Sequence, residues 1–140
     1  MEKTDYSKEK TDYSFPKKEK LCNKSDIEEL FKKGSSAFLY PYKIFYLHCP
    51  ESEEFPKVLI SIPKKKFKRA VDRNKLRRQI REIYRLHKSS IFFELKKDKT
   101  PCYLGIVYLG KEKIPYIELE KKLISILLRL KNINSTLPIS

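Results

Sequence analysis

The sequence contains no tryptophan, only three glycines and two histidines, and these shortages exclude several classes of protein. So few glycines cannot form a glycine-rich phosphate loop. The two histidines and three scattered cysteines predict no metal site, because a structural zinc needs about four clustered ligands. An odd number of cysteines without a Cys-x-x-Cys pair also argues against a disulfide framework, so we expect free thiols in a reducing cytosol.

Long apolar runs are missing as well. No segment approaches the roughly 18 uninterrupted apolar residues of a membrane span, and the charged residues 1–14 lack the apolar stretch of a secretory signal. We therefore expect a cytoplasmic protein without a membrane partner. Nothing supports a histidine-dependent catalytic triad. We expect no catalytic residue, no small-molecule substrate and no cofactor bound by the protein alone.

Positive charge, in contrast, is abundant and concentrated. The 140 residues include 32 lysines and arginines against 18 acidic residues, which gives a formal net charge of +14. Between Lys64 and Lys88 there are twelve basic residues but only two acids, Asp72 and Glu82. This segment therefore carries most of the net charge. It predicts a polyanionic partner, for which nucleic acid, an anionic membrane surface and an acidic protein are the candidates.

The two ends of the chain differ in composition from its middle. Residues 2–7 recur as residues 9–14, a direct duplication that is polar and charged. Such a segment cannot bury enough surface to offset the entropy of ordering it. We predict a disordered tail over residues 1–14, one folded domain over 15–132 and a flexible tail over 133–140.

The pattern of apolar residues predicts the main elements. A capping box that starts at Ser25 predicts a first helix ending before Gly34. Aromatic and β-branched residues predict strands over Tyr42–Leu47 and Lys57–Ile62, which we expect to form an antiparallel pair, and a central strand over Cys102–Leu109. Two further helices are predicted, at Val71–Lys88 and from Tyr116 to Leu130. Helices interleaved with strands predict an α+β fold in two layers around a small mixed sheet.

The helix predicted at Val71–Lys88 carries arginines at a regular spacing. Arg73, Arg77, Arg81 and Arg85 follow one another every four residues, so they form one ridge, about 100° around the helix from the apolar stripe. Like charges at this spacing destabilise an isolated helix by about 0.2–0.5 kcal/mol per pair. A bound polyanion would remove that cost, and guanidinium groups are suited to bidentate phosphate contacts.

A resemblance appears at this helix. Residues 68–82 read KRAVDRNKLRRQIRE, which is similar to the signature of the bacterial ribonuclease P protein family: an Arg-Asn-Arg motif, then paired basic residues and Arg-Glu. Here the motif is Arg73-Asn74-Lys75, and lysine in the third place lacks the planar fork of arginine. Lys20-Leu21, the first helix ending at Gly34, and the strand leading into Pro63-Lys64-Lys65 extend the resemblance over roughly residues 15–131.

The resemblance implies a fold, a function and partners. It implies an α-β-β-β-α-β-α order with a left-handed crossover, including a short strand near Ser35–Leu39. It implies the protein component of an endoribonuclease holoenzyme, which takes part in tRNA processing by removing the 5′ leader of precursor tRNA. The partners would be ribonuclease P RNA and precursor tRNA, and the RNA subunit would perform the hydrolysis with magnesium. The predicted RNA-binding residues are Lys64, Lys65, Lys68, Arg69, Arg73, Asn74, Lys75, Arg77, Arg78, Arg81 and Arg85.

The family also has a cleft for the leader, between the first helix and the sheet. The resemblance places Phe31 and Phe45 in it, where an aromatic ring can stack on a base for about 1–3 kcal/mol. Lys43 shares a strand face with Phe45. The alternative is that both phenylalanines are ordinary core residues, since most large aromatic side chains are buried.

Other functions compete with this interpretation. A ribosomal or general RNA-binding module without a processing role would share the basic charge. A DNA-binding helix-turn-helix would need a short helix just before the recognition helix, where Lys57–Pro63 predicts a strand instead. A membrane-surface helix would need a free apolar face, which the core requires here.

Overall fold

The computed structural model describes residues 19–48, 55–65 and 67–132. The elements are α1 (Lys24–Lys33), β1 (Ser35–Leu39), β2 (Tyr42–Leu47), β3 (Lys57–Ser61), α2 (Ala70–Lys99), β4 (Tyr103–Tyr108) and α3 (Tyr116–Leu128), followed by a 3₁₀ turn at Arg129–Asn132. This order confirms the predicted α+β fold and the short strand after α1. The predicted tails over residues 1–14 and 133–140 lie outside the described residues, so the domain limits stay predictions.

Helix α1 begins earlier than its sequence pattern predicts. Asn23 is the N-cap, and its Oδ1 accepts hydrogen bonds from the peptide N–H groups of Ser25 and Asp26 at 2.9 and 3.3 Å. The predicted capping box at Ser25 is therefore wrong, because an asparagine two residues earlier satisfies the free amides of the first turn. The helix ends as predicted at Gly34, whose N–H donates to the Leu30 carbonyl at 2.9 Å.

The sheet has the order β1-β2-β4-β3, so β4 is a central strand as predicted. Strand β2 pairs antiparallel with β1 and β4, whereas β3 pairs parallel with β4. The predicted antiparallel pair of β2 and β3 is wrong. Helix α2 carries the chain from β3 back to the start of β4, and β4 inserts between the two strands, where the apolar Leu104 and Ile106 are fully buried. The hand of the β3-α2-β4 crossover stays a prediction.

One face of the sheet, which we call the closed face, lies under α2 and α3. It consists of alternate side chains on β2 and β4, namely Tyr42, Ile44, Tyr46, Leu104, Ile106 and Tyr108, each no more than 3 % exposed. The Tyr42 hydroxyl donates to the Leu119 carbonyl of α3 at 3.0 Å. Because the side-chain period of a strand is two, the residues between these point to the opposite, open face.

Helix α2 is longer than predicted and runs to Lys99. The apolar stripe predicted at Leu76, Ile80, Ile83 and His87 is confirmed at its first three residues, which are buried against the closed face. His87 is only half-buried. Beyond Lys88, Ile91 and Phe92 are 3 % and 5 % exposed. Their burial continues the helix through the Ser89-Ser90 pair, since tertiary packing outweighs the modest helix propensity of serine.

The open face is only partly covered, by α1. Gly105 on β4 makes this possible, because a Cβ at that position would lie 3.2 Å from Leu30 Cδ2 and 3.6 Å from the Phe31 ring. The pairing of β2 with β4 is continuous through Gly105. The structure therefore shows a close backbone approach at this glycine and no bulge.

The cysteines differ from the expectation of free thiols. Cys22 is an exposed free thiol, Cys102 forms a disulfide, and Cys49 lies outside the described residues. The expectation is therefore wrong for Cys102. Within the described part of the chain, no helix has the length and apolar character needed to cross a membrane.

Candidate nucleic-acid interface

The predicted RNA-binding residues begin in the segment that leads into α2. Lys64, Lys65, Lys68 and Arg69 are all exposed there. Arg73, in the first turns of the helix, is half-buried, and its Nη1 donates to the carbonyls of Phe67 and Lys68 at 2.8 and 2.9 Å. The guanidinium of Arg73 thus holds the end of this basic segment against the helix start, where peptide N–H groups add to the attraction for anions.

The middle of the ridge and the adjoining Arg78 present guanidinium groups without carboxylate partners among the described residues. Asn74 Oδ1 accepts a hydrogen bond from Arg77 Nη1 at 3.0 Å, which orients that side chain. Arg78 is exposed, whereas Arg77 and Arg81 are half-buried. Among the described residues, none of these three arginines is paired with an acidic side chain. Their charge is therefore available to an external anion.

Two predicted residues are placed differently from the rest. Arg85 forms a two-point ion pair with Glu82, with Nε–Oε1 and Nη2–Oε2 distances of 3.2 and 2.7 Å. The end of the ridge is thus partly neutralised on its own helix. Lys75 lines a depression toward the segment before α3, near the Lys113–Asp72 ion pair. It lies on the other flank of α2 from Arg77 and Arg81.

Lys88 belongs to the basic segment in sequence but not to its surface. Its side chain is completely buried, and its Nζ lies 2.6 Å from Glu19 Oε1 and 4.6 Å from the centre of the Phe55 ring. Sequence reasoning counted this lysine as surface charge. Its spacing from Ile80 and Tyr84, at i+8 and i+4 along the buried stripe, was the signal that could have identified it as internal.

The residues predicted for a leader cleft do come together on the open face. The rings of Phe31 on α1 and Phe45 on β2 meet edge to face, with centroids 4.7 Å apart. Lys43 Nζ lies 5.2 Å from the centre of the Phe45 ring. Phe31 is 41 % exposed, and neither phenylalanine is part of the main hydrophobic core. The arrangement offers an aromatic platform beside a cation.

The aromatic platform and the arginine ridge are neighbours across β3. Phe45 is opposite Gly105 on β4, and Gly105 is opposite Leu59 on β3. Leu59 in turn lines a surface depression together with Arg77 and Arg81. A single extended ligand can therefore reach the open face of the sheet and the basic flank of α2.

The chemical groups of this surface are cations, aromatic rings and a phenol. The described part of the chain holds no cluster of three or more histidine, cysteine or acidic residues that could ligate a metal ion. On the open face, burial and the nearby carboxylates of Asp26 and Glu29 raise the pKa of Tyr103, so its phenol is a neutral hydrogen-bonding group at physiological pH. Cations, aromatic rings and neutral polar groups are the components of a single-stranded nucleic-acid surface.

Known proteins similar to this chain all fall in one family. The family model Ribonuclease P matches residues 15–131. A ribonuclease P protein component from Porphyromonas gingivalis is 27 % identical over 119 residues, covering 84 % of this chain and 87 % of the relative. One from Borrelia duttonii is 34 % identical over 100 residues, covering 71 % and 81 %.

Solved structures agree in fold. The ribonuclease P protein of Staphylococcus aureus has a TM-score of 0.64 at 23 % identity, covering 78 % of this chain and 92 % of that structure. The Thermotoga maritima protein has a TM-score of 0.59 at 23 % identity, covering 79 % and 96 %. At this identity the likeness concerns the fold.

Proposed function

The chain belongs to the ribonuclease P protein family, a family of tRNA processing, and from this premise we propose that it is the protein subunit of a ribonuclease P. In this role it binds the catalytic RNA subunit and the 5′ leader of precursor tRNA, and it assists removal of the leader. The single observation that carries the proposal is the arginine surface of α2, formed by Arg77, Arg78 and Arg81, which pair with no acidic side chain among the described residues.

The arginine surface suits the RNA subunit. The helix that carries its guanidinium groups is held by the packing of Leu76, Ile80 and Ile83 on the closed face, so little backbone freedom is lost when phosphates bind. Each phosphate contact releases counterions and contributes to affinity at low salt. The exposed lysines at positions 64, 65 and 68 extend the same field beyond the helix start.

The open face suits the leader. Phe31 and Phe45 present aromatic surface on which bases stack without regard to their identity, and leaders vary in sequence. Lys43 supplies a cation for the adjoining phosphate. The closeness of this platform to α2 lets one protein hold the RNA subunit and the leader together.

The hydrolysis itself belongs to the RNA subunit. Magnesium bound with that RNA supplies the activation of water and the stabilisation of the leaving group. The role of this chain is to bind and orient, in the cytoplasm, where precursor tRNA is made. No catalytic residue is assigned to it.

Reconstitution tests the proposal. Purified protein added to bacterial ribonuclease P RNA and precursor tRNA at low magnesium should restore 5′ cleavage that the RNA alone performs poorly. The Arg77→Ala/Arg78→Ala variant should lose most of this stimulation, because two phosphate contacts are gone. Its affinity for the RNA should also show a salt slope smaller by about 1.4–1.8. Lys121→Ala/Lys122→Ala removes the same charge from the exposed side of α3 and should behave as wild type.

Two other results would overturn the proposal. If footprinting showed that the protein protects only ribosomal RNA, and if it did not stimulate cleavage of the precursor, a general RNA-binding module would be favoured. Competition by double-stranded DNA as effective as that by ribonuclease P RNA would favour a DNA-binding protein.

A further inference from the structure

Three segments meet at the outer edge of β3. Residues 19–22, which we call the strap, run beside this strand before α1 begins. Lys20 forms a parallel bridge with Val58, and the Leu21 N–H donates to the Val58 carbonyl at 2.8 Å. The strap pairs with β3 at Val58 and then turns toward α1. The flank of α2 lies alongside both.

A depression of about 180 Å³ lies where these segments meet. Its charged lining residues are Lys20 from the strap and Arg77 and Arg81 from α2, and its lining contains no acidic residue. Leu59 and Leu21 supply an apolar wall. An anion bound in this depression would be attracted by all three positively charged side chains.

The backbone of β3 contributes to the same place. The Val58 carbonyl points to the strap, and alternate peptide groups of a strand point to the same edge. The Ile60 N–H is therefore directed toward this edge, and Ile60 also lines the depression. A tetrahedral anion with several acceptor oxygens would match two guanidinium groups, an ammonium and a peptide N–H.

The strap is held in place by a buried ion pair. Glu19 Oε1 lies 2.6 Å from Lys88 Nζ, and the two side chains are 7 % and 0 % exposed. Lys88 is two turns beyond Arg81 on the same side of α2, since seven residues return to nearly the same angle. The pair thus fixes the strap along the helix and places the neighbouring Lys20 beside Arg81.

We propose that Lys20, Arg77 and Arg81 form a binding pocket for one phosphodiester group of RNA, with Glu19 as a positioning residue that acts through Lys88. The proposal rests on the proposed function and extends it to the strap, which lies outside the basic helix. The apolar wall at Leu59 and Leu21 would receive the sugar of the same nucleotide. The phosphate belongs either to the RNA subunit or to the leader of the precursor.

Salt-dependent binding of the full chain tests the pocket. Lys20→Ala removes an exposed side chain and should weaken RNA binding roughly threefold to tenfold, with a salt slope smaller by about 0.7–0.9. Lys122→Ala, an exposed lysine on α3, is the matched control and should leave both values unchanged. Binding is measured once with ribonuclease P RNA alone, and once as the difference between precursor and mature tRNA on the reconstituted holoenzyme.

The two arms identify the source of the phosphate. If Lys20→Ala weakens binding to ribonuclease P RNA alone, the pocket belongs to the RNA subunit. If it weakens only the preference for precursor over mature tRNA, the pocket belongs to the leader. If the salt dependence of binding is unchanged in both measurements, the proposed pocket is wrong. Combining Lys20→Ala with Arg81→Ala should cost less than the sum of the single effects, because both side chains contact one phosphate. Strict additivity would also overturn it.

Glu19→Gln tests the positioning role. It keeps Lys20 but removes the charge that holds Lys88, so at a temperature where circular dichroism shows the folded state, the salt slope should fall as it does for Lys20→Ala. A lower melting temperature with an unchanged slope would make Glu19 merely structural and overturn this part of the proposal. Glu19→Asp should restore part of the slope.

Arg78→Ala separates this proposal from the proposed function. Arg78 is exposed and outside the pocket. If its loss weakens RNA binding while Lys20→Ala does not, the pocket is wrong and the ribonuclease P role stands. If neither variant changes binding and the wild type does not stimulate cleavage, the proposed function itself fails.

Discussion

The two faces of the sheet differ in how far their side chains are covered by helices. On the closed face, Ile44, Leu104 and Ile106 are completely buried under α2 and α3. On the open face, Phe45 and Lys43 are half-buried, and Phe31 above them is 41 % exposed. The difference shows that apolar area on the open face is kept accessible, which is typical of a ligand surface.

The largest expected effect is on the closed face. Ile106→Ala should lower the free energy of unfolding by about 2–5 kcal/mol, because it leaves a cavity at the centre of the core. The measurement is urea denaturation followed by circular dichroism. If the variant kept its stability to within about 1 kcal/mol, a figure expected for tolerated core changes, the contrast between the faces would break down.

A smaller effect, of another kind, is expected on the open face. Phe45→Ala should weaken binding of leader-bearing precursor tRNA by about 1–3 kcal/mol, the value of one base stacked on an aromatic ring. Mature tRNA should bind nearly as before. Phe93→Ala, at an 85 % exposed phenylalanine near the far end of α2, is the control for loss of an aromatic side chain. Equal losses for precursor and mature tRNA would refute the cleft.

The smallest effect concerns a phenol of the closed face. Burial, with Tyr40 and Glu112 nearby, raises the pKa of Tyr108 to about 12, and its hydroxyl donates to the Glu112 carbonyl at 3.0 Å. The unfolded chain loses this proton near pH 10, whereas the folded chain keeps it. Stability should therefore fall as the pH rises from about 10 to 12.

Tyr108→Phe should make this alkaline fall shallower, while costing only about 1 kcal/mol at neutral pH for the lost hydrogen bond. Denaturation midpoints at pH 8, 10 and 11 would measure the difference. An identical pH dependence in wild type and variant would mean that Tyr108 ionises equally easily in the folded and unfolded states. The phenols of the closed face would then not be shielded as the structure indicates.

Much of the fold follows from local patterns. The strand at Tyr42–Leu47, the end of α1 at Gly34 and the buried stripe of α2 were all predictable, because each depends on spacing within one segment. The partner of β3 was not, because strand pairing is decided by where α2 returns the chain. The N-cap at Asn23 was missed since Asn23 and Ser25, two residues apart, both qualify as caps, and the local pattern does not rank them.

The candidate site divides in the same way. The arginine ridge was evident from sequence, because a repeat of four residues on a helix defines a surface without reference to the rest of the molecule. Its unevenness follows from the helix as well, since Glu82 and Arg85 are three residues apart and Lys75 lies on the other flank of α2 from Arg77. The burial of Lys88 was not predictable in this way, because its partner Glu19 comes from outside the helix.

The sequence by itself determined that this chain concentrates positive charge on one helix whose opposite stripe is apolar, because charge and periodicity are properties of the order of residues. The tertiary structure decided which of those charges face outward. It buried Lys88 against Glu19, brought Lys20 to the same edge as Arg77 and Arg81, and set Phe31 against Phe45. Such contacts join residues that are distant in the chain, and only the packing of the elements specifies them.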